Sequence, residues 1–478
     1  MKELKEYCGV FGISCNDLNF AIAEHIYHGL MAIQHRGQIF AGISVSNCKD
    51  KIYSYRNKGL VSKVLTAKKL KFFTGNIGIG HVCYGFPKNL DVKDAQPYHF
   101  KSEQIDFSIS MNGMITNYKE IQKKLEATGR IFESNSDVEL LSILIETISK
   151  STSDIIETLK LVMHVIKGSY SFVLLTPDGN LYAMRDPSGY KPLCFGEINR
   201  DGRNFYVVSS ESCALDVLGV PLVDDVKPGE IVKIDPVDGL KRFQGQIQKK
   251  GGICQFEFTY FARPDSIIDG MSVAEVRYNL GRNLAREENS KLNGAIVVPV
   301  PDSGRSAAIG YAWEAGLSYE EGLMKNRYIW QLKSTANEKL NPIKNLVKDK
   351  DIVLIDDTII SGITLKQIIS MLREAGARTI HVRISCPPII NACKINESMM
   401  TNKAFLIAYE KKLNNYDNFN EEMRQYINAD TLKYQTIESL INAIGLKENQ
   451  ICYNCLKEYC VVEKDEEKSE ISQLSLIF

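Results

Sequence analysis

The stretch from Ile352 to Thr364 constrains the fold of this chain more than any other part of its sequence. Four consecutive apolar residues end at the acidic pair Asp356-Asp357, and a short loop with hydroxyl side chains then leads to apolar residues at helical spacing. The helical pattern ends at Gly376, just before a second strand-like run. This order predicts a β-α-β unit whose strands are buried on both faces of a parallel sheet.

A second apolar run, Ala295 to Val300, precedes Pro301-Asp302-Ser303-Gly304 and predicts a neighbouring strand with its own loop. Ligands of parallel sheets bind at the carboxyl ends of the strands. Main-chain N–H groups at a helix start favour an anion, and Gly362 permits close approach, so the loop from Thr358 to Thr364 is a candidate phosphate site. An ordinary βα turn with a solvated acidic pair has the same spacing, so the spacing alone leaves both interpretations open.

The part before about Asp235 has a different pattern, in which short β-rich runs accompany two helical stretches without regular alternation. The helices are expected at about Ala21 to Gln34 and Ser136 to Ser149, the second with acidic residues at its start. Strands and helices that do not alternate indicate a layered α+β domain.

Charge and apolar patterning exclude several classes of function. The 478 residues include 58 basic and 58 acidic side chains, so there is no broad cationic surface for nucleic acid. No apolar run approaches the roughly 20 residues that span a bilayer. The charged start, Met1 to Tyr7, lacks the apolar core of a secretion signal, and we expect a cytoplasmic protein without nucleic-acid or membrane partners.

The loop after Asp356-Asp357 resembles the phosphoribosyl-pyrophosphate (PRPP) loop of type I phosphoribosyltransferases. Three further segments resemble one family in particular, amidophosphoribosyltransferase, and the likeness covers nearly the whole chain. These segments are residues 254–266, residues 322–328 and residues 372–378.

This resemblance implies an α+β N-terminal-nucleophile hydrolase glutaminase domain with four αββα layers, followed by an α/β type I phosphoribosyltransferase domain. We expect a propeptide over residues 1–7, the glutaminase domain over 8–235, the transferase domain over 236–445, and a C-terminal segment over 446–478. The implied activity uses glutamine-derived ammonia and PRPP to make 5-phosphoribosylamine, the first step of purine synthesis. We also expect a homo-oligomer.

Cys8-Gly-Val-Phe-Gly-Ile13 resembles the mature start of the family's glutaminase domain. A terminal cysteine pairs a good nucleophile with an α-amino group that accepts its proton. Cys8 alone would more often be a structural thiol, but its companions resemble the family's glutamine site. The resemblance makes Cys8, Asn112 and Gly113 catalytic, the latter two as oxyanion donors, and makes Arg36 and Asp137 substrate-binding.

Several residues depart from the family pattern. Cys83 stands where an arginine is expected to hold the glutamine carboxylate, a loss of roughly 1.5–3 kcal/mol, and Phe86 also differs. Met111 replaces a histidine, and Tyr7 replaces an acid before the cleavage point. Lys88 is a candidate substitute for the arginine.

In the second domain, the resemblance assigns pyrophosphate to Asp302, Gly304 and Lys325 and the 5′-phosphate to a hydroxyl-rich loop. That loop contributes Thr358, Ser361, Gly362 and Thr364. Ser303, Asp356 and Asp357 are assigned to Mg²⁺. Ser361 and Ile363 replace an arginine and a threonine, and the loop after Tyr328 is altered and shorter.

Cys452-Tyr-Asn-Cys455 alone does not identify a site, since such a pair binds zinc, does redox work or does neither. With Cys254 and Cys393, it matches the four ligands of a [4Fe–4S] cluster in one branch of the family, which we expect to be structural. Zinc held by the same four thiolates is the alternative.

Two other functions remain open from the sequence. One is a diverged enzyme that transfers phosphoribose to free ammonia or another acceptor. The other is a non-catalytic PRPP-binding protein, against which the absence of a basic stretch counts.

Overall fold

The computed structural model describes residues 8–49, 51–84, 92–248, 251–288, 292–326, 340–393, 395 and 416–457, with the main chain alone at 416–418. Several expectations lie outside these ranges, namely the propeptide, the roles of Phe86 and Lys88, and the altered loop after Tyr328. Within the described ranges, none of the helices has the length and apolar composition required to cross a membrane.

The N-terminal half contains thirteen strands within the described residues. They are β1 (Cys8–Cys15), β2 (Phe40–Ser46), β3 (Ile52–Lys58), β4 (Ile77–Cys83), β5 (Tyr98–Lys101), β6 (Asp106–Ile115), β7 (Gly168–Leu175), β8 (Leu181–Arg185), β9 (Cys194–Arg200), β10 (Arg203–Ser209), β11 (Leu222–Asp225), β12 (Glu230–Asp235) and β13 (Gly239–Gln244).

The helices of this half flank the strands. They are α1 (Ala23–Ala32), α2 (Val61–Val64), α3 (Ala67–Leu70), α4 (Tyr118–Ala127), α5 (Asp137–Ser149), α6 (Ile155–Val165) and α7 (Cys213–Val217), with a 3₁₀ turn at Gln34–Arg36.

These elements form four layers. One sheet has the order β11-β9-β10-β1-β4-β2-β3 and the other β13-β12-β8-β7-β6-β5. Val10, Ile79 and Val173 belong to the core between the sheets, while α1 and α7 cover one outer face and α5 and α6 the other. The expected αββα architecture is confirmed. Because β1 lies between two strands and two layers, it is buried on both faces and lacks the alternation of a half-exposed strand.

The second sheet of the first half continues past the boundary predicted after Asp235. Strand β13 pairs with β12 through Gly239, whose φ of 79° closes the hairpin. This sheet therefore extends to Gln244, and the turn after Asp235 lies within a hairpin.

The second half contains eleven further strands in the described ranges. They are β14 (Ile253–Cys254), β15 (Ile267–Ile268), β16 (Met271–Ser272), β17 (Ile296–Pro299), β18 (Ser318–Tyr319), β19 (Leu323–Lys325), β20 (Leu340–Pro342), β21 (Asp351–Asp356), β22 (Thr379–Ile384), β23 (Thr431–Tyr434) and β24 (Ile451–Cys452).

Its helices are α8 (Val273–Arg286), α9 (Arg305–Ala315), α10 (Lys344–Val347), α11 (Ile363–Glu374), α12 (Tyr416–Ile427) and α13 (Ile437–Ile444), with a π-helix at Glu257–Phe261.

A parallel sheet of order β18-β17-β21-β22-β23 forms the centre of this half, as the sequence predicts for an α/β domain. Ile352, Leu354 and the α11 residues Ile368 and Leu372 share one core. The loops after β17 and β21 leave the same edge of the sheet, since parallel strands end together.

Candidate functional site

Cys8 begins β1 and lies opposite Cys83, the last residue of β4. The two Sγ atoms are 3.5 Å apart. The Cys8 main-chain N–H donates to Asn112 Oδ1 at 3.4 Å, and the Arg36 Nε–H donates to the Cys8 carbonyl at 3.1 Å. The start of the first strand is therefore held from three neighbouring elements.

The amide of Asn112 leaves a donor unused. Asn112 lies on β6 and is fully buried, and its Nδ2 has no hydrogen-bond partner among the residues that the structure describes. A buried donor without a partner costs about 1–3 kcal/mol. Beside a cysteine nucleophile, such a donor is suited to an oxyanion that forms only during reaction.

Gly113 follows with a φ of 138°. A Cβ at this position would lie 2.0 Å from the Ser169 carbonyl oxygen on the paired strand β7. Glycine is therefore required here, and the structure brings Cys8, Asn112 and Gly113 together as the sequence predicted.

The pKa of the Cys8 thiol is lowered well below its usual range. The largest cause is its hydrogen bond with Cys83, which outweighs the opposing effect of burial, and His81 on β4 lowers the pKa further. His81 is fully buried, with Nε2 3.0 Å from the Met111 carbonyl. The sequence alone did not indicate that His81 and Cys83 affect the ionisation of Cys8, because the pairing of β1 with β4 places them beside it.

Asp137 opens helix α5. Burial raises the pKa of its carboxyl group from 3.8 to about 7, against the lowering effect of a hydrogen bond from the Ile115 main chain. The charge of Cys8 adds to the rise, so the two groups lie within electrostatic reach. A substrate ammonium group at this position would favour the carboxylate form.

Arg36, which the family resemblance assigns to substrate binding, contacts other groups of the protein in this structure. Its side chain is fully buried between Glu211 and Glu257, with Nη2 2.7 Å from Glu257 Oε1 and Nη1 3.0 Å from Oε2. Glu211 also accepts from Ser266 Oγ at 2.7 Å. Arg36 therefore positions the strand that carries Cys8 and binds it to the π-helix of the second half.

The acidic pair lies where β21 ends, and both side chains are buried. Burial and the neighbouring charge raise the pKa of Asp356 well above 3.8. Burial also raises the pKa of Asp357, against hydrogen bonds from Ser303 and Thr358 and the charge of Arg277. Two adjacent buried carboxylates at a strand end are suited to a divalent cation or to sugar hydroxyls.

The loop after the pair reaches α11 through Gly362, whose φ is 71°. Ser361 Oγ accepts from the Ile363 main chain at 3.4 Å, and Thr364 lies in the first turn of the helix. Main-chain N–H groups and hydroxyl groups therefore lie together at the N-terminus of helix α11. Phosphate groups commonly bind at such helix N-termini.

The loop after β17 faces the acidic pair, because the Ser303 hydroxyl bonds to Asp357. Exposed Asp302 accepts a hydrogen bond from Lys325 Nζ at 2.8 Å, and Gly304 is the N-cap residue of helix α9. The structure therefore brings the residues of both predicted loops to one edge of the sheet, together with Lys325 from β19.

A chain of contacts connects the two centres. The main-chain carbonyls of Phe258 and Ala262, at the π-helix that carries Glu257, accept from Arg277 at 2.7 and 2.8 Å. The charge of Arg277 in turn lowers the pKa of Asp357. Neither Glu257 nor Arg277 was identified from the sequence, since no local pattern distinguishes a buried arginine or glutamate from a solvated one.

The four predicted cluster cysteines also converge. Cys254 and Cys452 are register partners in the parallel pair of β14 and β24. The pKa of Cys455 is raised by burial first, and next by the charges of Cys393, Cys254 and Cys452. No three His, Cys, Asp or Glu side chains of the described ranges are placed to hold a single metal ion. A four-iron cluster takes one thiolate on each iron, and four cysteine side chains that lie close together fit that donor set.

Comparisons with known proteins match both halves. A family model described as a glutamine amidotransferase domain matches residues 88–216, and one described as a phosphoribosyl transferase domain matches residues 275–401.

Curated relatives match along nearly the whole chain. The amidophosphoribosyltransferase of Methanocaldococcus jannaschii is 40% identical over 473 residues, which cover 94% of this chain and 96% of the relative. That of Bacillus subtilis is 36% identical over 467 residues, covering 95% and 94%.

Two solved structures also match nearly the whole chain. The glutamine PRPP amidotransferase from B. subtilis, complexed with ADP and GMP, superposes with a TM-score of 0.84 at 35% identity and covers 95% of this chain and 97% of its own. A structure described as the allosteric regulatory enzyme of purine biosynthesis gives 0.85 at 34% identity, covering 95% and 96%.

Proposed function

This chain belongs to the amidophosphoribosyltransferase family, and we propose that it makes 5-phosphoribosylamine from PRPP with ammonia released from glutamine at Cys8. The observation that carries this proposal is the unused Nδ2 donor of Asn112, a side chain that contacts the main chain of Cys8. A purely structural amide would have satisfied that donor within the protein.

In the first domain, the Cys8 thiolate attacks the side-chain amide carbon of glutamine. The amide oxygen gains negative charge and receives hydrogen bonds from Asn112 Nδ2 and the Gly113 main chain. Collapse of the intermediate expels ammonia, and water then hydrolyses the thioester to glutamate. The Asp137 carboxylate holds the substrate ammonium throughout, and removal of residues 1–7 gives Cys8 the free amino group that accepts its proton.

In the second domain, the 5′-phosphate of PRPP binds main-chain and hydroxyl donors of the loop after β21, from Thr358, Ser361, Gly362 and Thr364. Asp302, Gly304 and Lys325 hold the pyrophosphate. Ammonia attacks the anomeric carbon as pyrophosphate leaves, and Lys325 stabilises the charge that develops on the leaving group.

Magnesium fits the donor set of Ser303, Asp356 and Asp357, because two buried carboxylates beside a hydroxyl are hard oxygen ligands. When bound, the ion neutralises pyrophosphate charge. Burial and the charge of Asp357 raise the pKa of Asp356, as expected for two adjacent carboxylates whose negative charge no cation balances.

A [4Fe–4S] cluster fits Cys254, Cys393, Cys452 and Cys455. It is structural on this proposal, since neither glutamine hydrolysis nor phosphoribosyl transfer moves electrons. Iron–sulfur ligands and a reactive thiol require reducing surroundings, which supports a cytoplasmic location. The proposal also includes a homo-oligomer.

The test is N-terminal and intact-mass analysis of anaerobically purified protein after reaction with an electrophilic glutamine analogue. We expect a chain that starts at Cys8 and carries one label on that residue. A Met1 start with an unlabelled Cys8, in protein that contains iron and sulfide, would contradict the glutaminase assignment. Zinc in place of iron and sulfide would contradict the cluster.

One observation favours a second candidate, a transferase that uses free ammonia. Cys83 replaces the arginine that the family resemblance assigns to the glutamine carboxylate, and it lies beside the nucleophile instead. The two candidates differ in their nitrogen source. Pyrophosphate release from PRPP with glutamine as fast as with ammonium would exclude the ammonia-only enzyme.

A further inference from the structure

Cys8 and Cys83 are cross-strand neighbours. They are paired in the antiparallel register of β1 and β4, and their Sγ atoms are 3.5 Å apart. Directly opposed residues in such pairs have Cα atoms about 4.5–5.5 Å apart, within the roughly 4.4–6.8 Å range of disulfides. A small movement of the side chains would therefore bring the sulfur atoms to bonding distance without displacement of either strand.

Cys8 differs in its pKa from four other cysteines in the described part of the first domain. Cys15, Cys194 and Cys213 are buried, and burial raises the pKa of each of these thiols. Cys48 is half-buried, with a pKa raised to about 11. The pKa of Cys8 is lowered by its hydrogen bond with Cys83, and this favours the thiolate, which is the form that attacks a disulfide oxidant.

We propose that Cys8 and Cys83 form a reversible disulfide with small-molecule disulfides as oxidant, which switches off glutamine use while transfer from free ammonia continues. This inference rests on the proposed role of Cys8 as nucleophile. It assigns a function to Cys83, the residue that departs from the family at this site.

The chemistry proceeds by two exchanges. The Cys8 thiolate attacks one sulfur of the oxidant, forms a mixed disulfide and releases one thiolate. The Cys83 thiolate then attacks Cys8 Sγ and releases the second. Two protein thiols are oxidised, one small disulfide is reduced to two thiols, and excess thiol reverses both steps.

Blocking Cys8 removes the nucleophile only. The phosphoribosyl site uses Asp356, Asp357 and Lys325, none of which contains sulfur. An oxidised molecule therefore retains ammonia-dependent activity and loses glutamine-dependent activity.

The experiment equilibrates the intact, cluster-containing protein with glutathione and glutathione disulfide. Non-reducing peptide mapping is expected to show a Cys8–Cys83 cross-link without retained glutathione. Pyrophosphate release is measured with glutamine and with ammonium, and iron content is followed to exclude cluster loss. Dithiothreitol is expected to restore the glutamine-dependent rate.

A dilution series distinguishes the internal disulfide from a mixed one. For an internal disulfide, the equilibrium ratio of oxidised to reduced protein is proportional to the concentration of glutathione disulfide divided by the square of the glutathione concentration. For a mixed disulfide, it is proportional to the concentration of glutathione disulfide divided by the glutathione concentration. Tenfold dilution of both at fixed ratio should raise the ratio of oxidised to reduced wild type about tenfold. The same dilution should leave the ratio of oxidised to reduced protein unchanged in Cys83→Ser and in Cys83→Ala, where each variant is compared with its own reduced form. Cys48→Ser is the matched control and should behave as wild type.

The outcomes distinguish a failure of the disulfide inference from a failure of the proposed glutaminase function. Glutathione retained on Cys8 of the wild type, or dilution behaviour shared by wild type and Cys83→Ser, would overturn the inference and leave the glutaminase intact. A complete Cys8–Cys83 cross-link with undiminished glutamine-dependent activity would overturn both, because Cys8 would not be the nucleophile.

Discussion

The side chains around Cys8 set the chemistry at the smallest scale. Asn112 holds an unused amide donor, Cys83 and His81 lower the pKa of the thiol, and Asp137 has a carboxyl group of raised pKa. The unused donor of Asn112 and the buried carboxyl group of Asp137 are local costs to folding, which a forming oxyanion and a bound ammonium group would relieve.

Asn112→Ala removes one oxyanion donor. We expect kcat for glutamine hydrolysis to fall about 10²–10³-fold, with little change in KM, because the donor acts on charge that is absent from the ground state. Steady-state rates with glutamine and with ammonium measure this, and the ammonium rate is the internal control. An equal fall in both rates would contradict the assignment.

Asp137→Asn removes the ammonium partner. We expect KM for glutamine to rise about tenfold or more, through loss of a charge-assisted hydrogen bond. In the wild type, KM should decrease as pH rises through about 7, where the carboxyl group ionises. The variant should lack that dependence, and a KM profile identical to that of the wild type would contradict this role.

The same carboxyl group affects stability. Its pKa in the folded protein is about 7, raised from 3.8, so the folded state binds a proton that the unfolded state lacks between about pH 4 and 7. Stability therefore falls as pH rises across this window. Asp137→Asn should be more stable than the wild type at pH 8, by urea denaturation, and the difference should shrink towards pH 4.

At the scale of elements, the sequence predicted those whose pattern is local. Helix α5 and the unit from β21 to β22 were predicted from apolar spacing and lie within two residues of their expected bounds. The partners of Arg36 were not predicted, because Glu211 and Glu257 are 175 and 221 residues away and only the tertiary fold brings them to Arg36. Family motifs placed Arg36 near the nucleophile and missed which atoms it contacts.

The π-helix at Glu257–Phe261 joins the two halves through Glu257. Glu257→Gln leaves the Arg36 guanidinium with less compensating charge in a fully buried position, and we expect a loss of about 3 kcal/mol in unfolding free energy. Glutamine-dependent activity should fall more than ammonia-dependent activity, because Arg36 holds the Cys8 strand. Urea denaturation and paired rate measurements test this.

Glu314→Gln is the matched control for that change. Glu314 pairs with Arg286 at 2.9 Å near the surface, where solvent screens the pair. Its urea midpoint should equal that of the wild type. Equal effects of the two substitutions would show that the buried pair has no special role.

At the scale of the whole molecule, main-chain hydrogen bonds connect the C-terminal segment to distant parts of the chain. The Cys455 carbonyl accepts from the Ile390 and Asn391 main chains, and β24 pairs with β14. Cysteines between residues 254 and 455 in the sequence therefore lie close together in the structure. The family motifs predicted this proximity, but they did not indicate the main-chain contacts that produce it.

Cys455→Ser should abolish iron and sulfide incorporation and increase proteolysis near the C-terminus, because one cluster ligand and its anchor are lost. Cys386→Ser is the matched control: Cys386 is buried near the quartet, with its Sγ 3.8 Å from Gln255 Oε1, and is not an expected ligand. Iron analysis of both variants decides the ligand set. Loss of iron from Cys386→Ser alone would contradict it.

The most direct test of the whole account is Cys8→Ala, assayed for PRPP-dependent pyrophosphate release with glutamine and with ammonium. The account predicts that the glutamine-dependent rate falls to background while the ammonium-dependent rate persists, because the nucleophile and the phosphoribosyl site are separate. Undiminished glutamine-dependent release from the variant would contradict it.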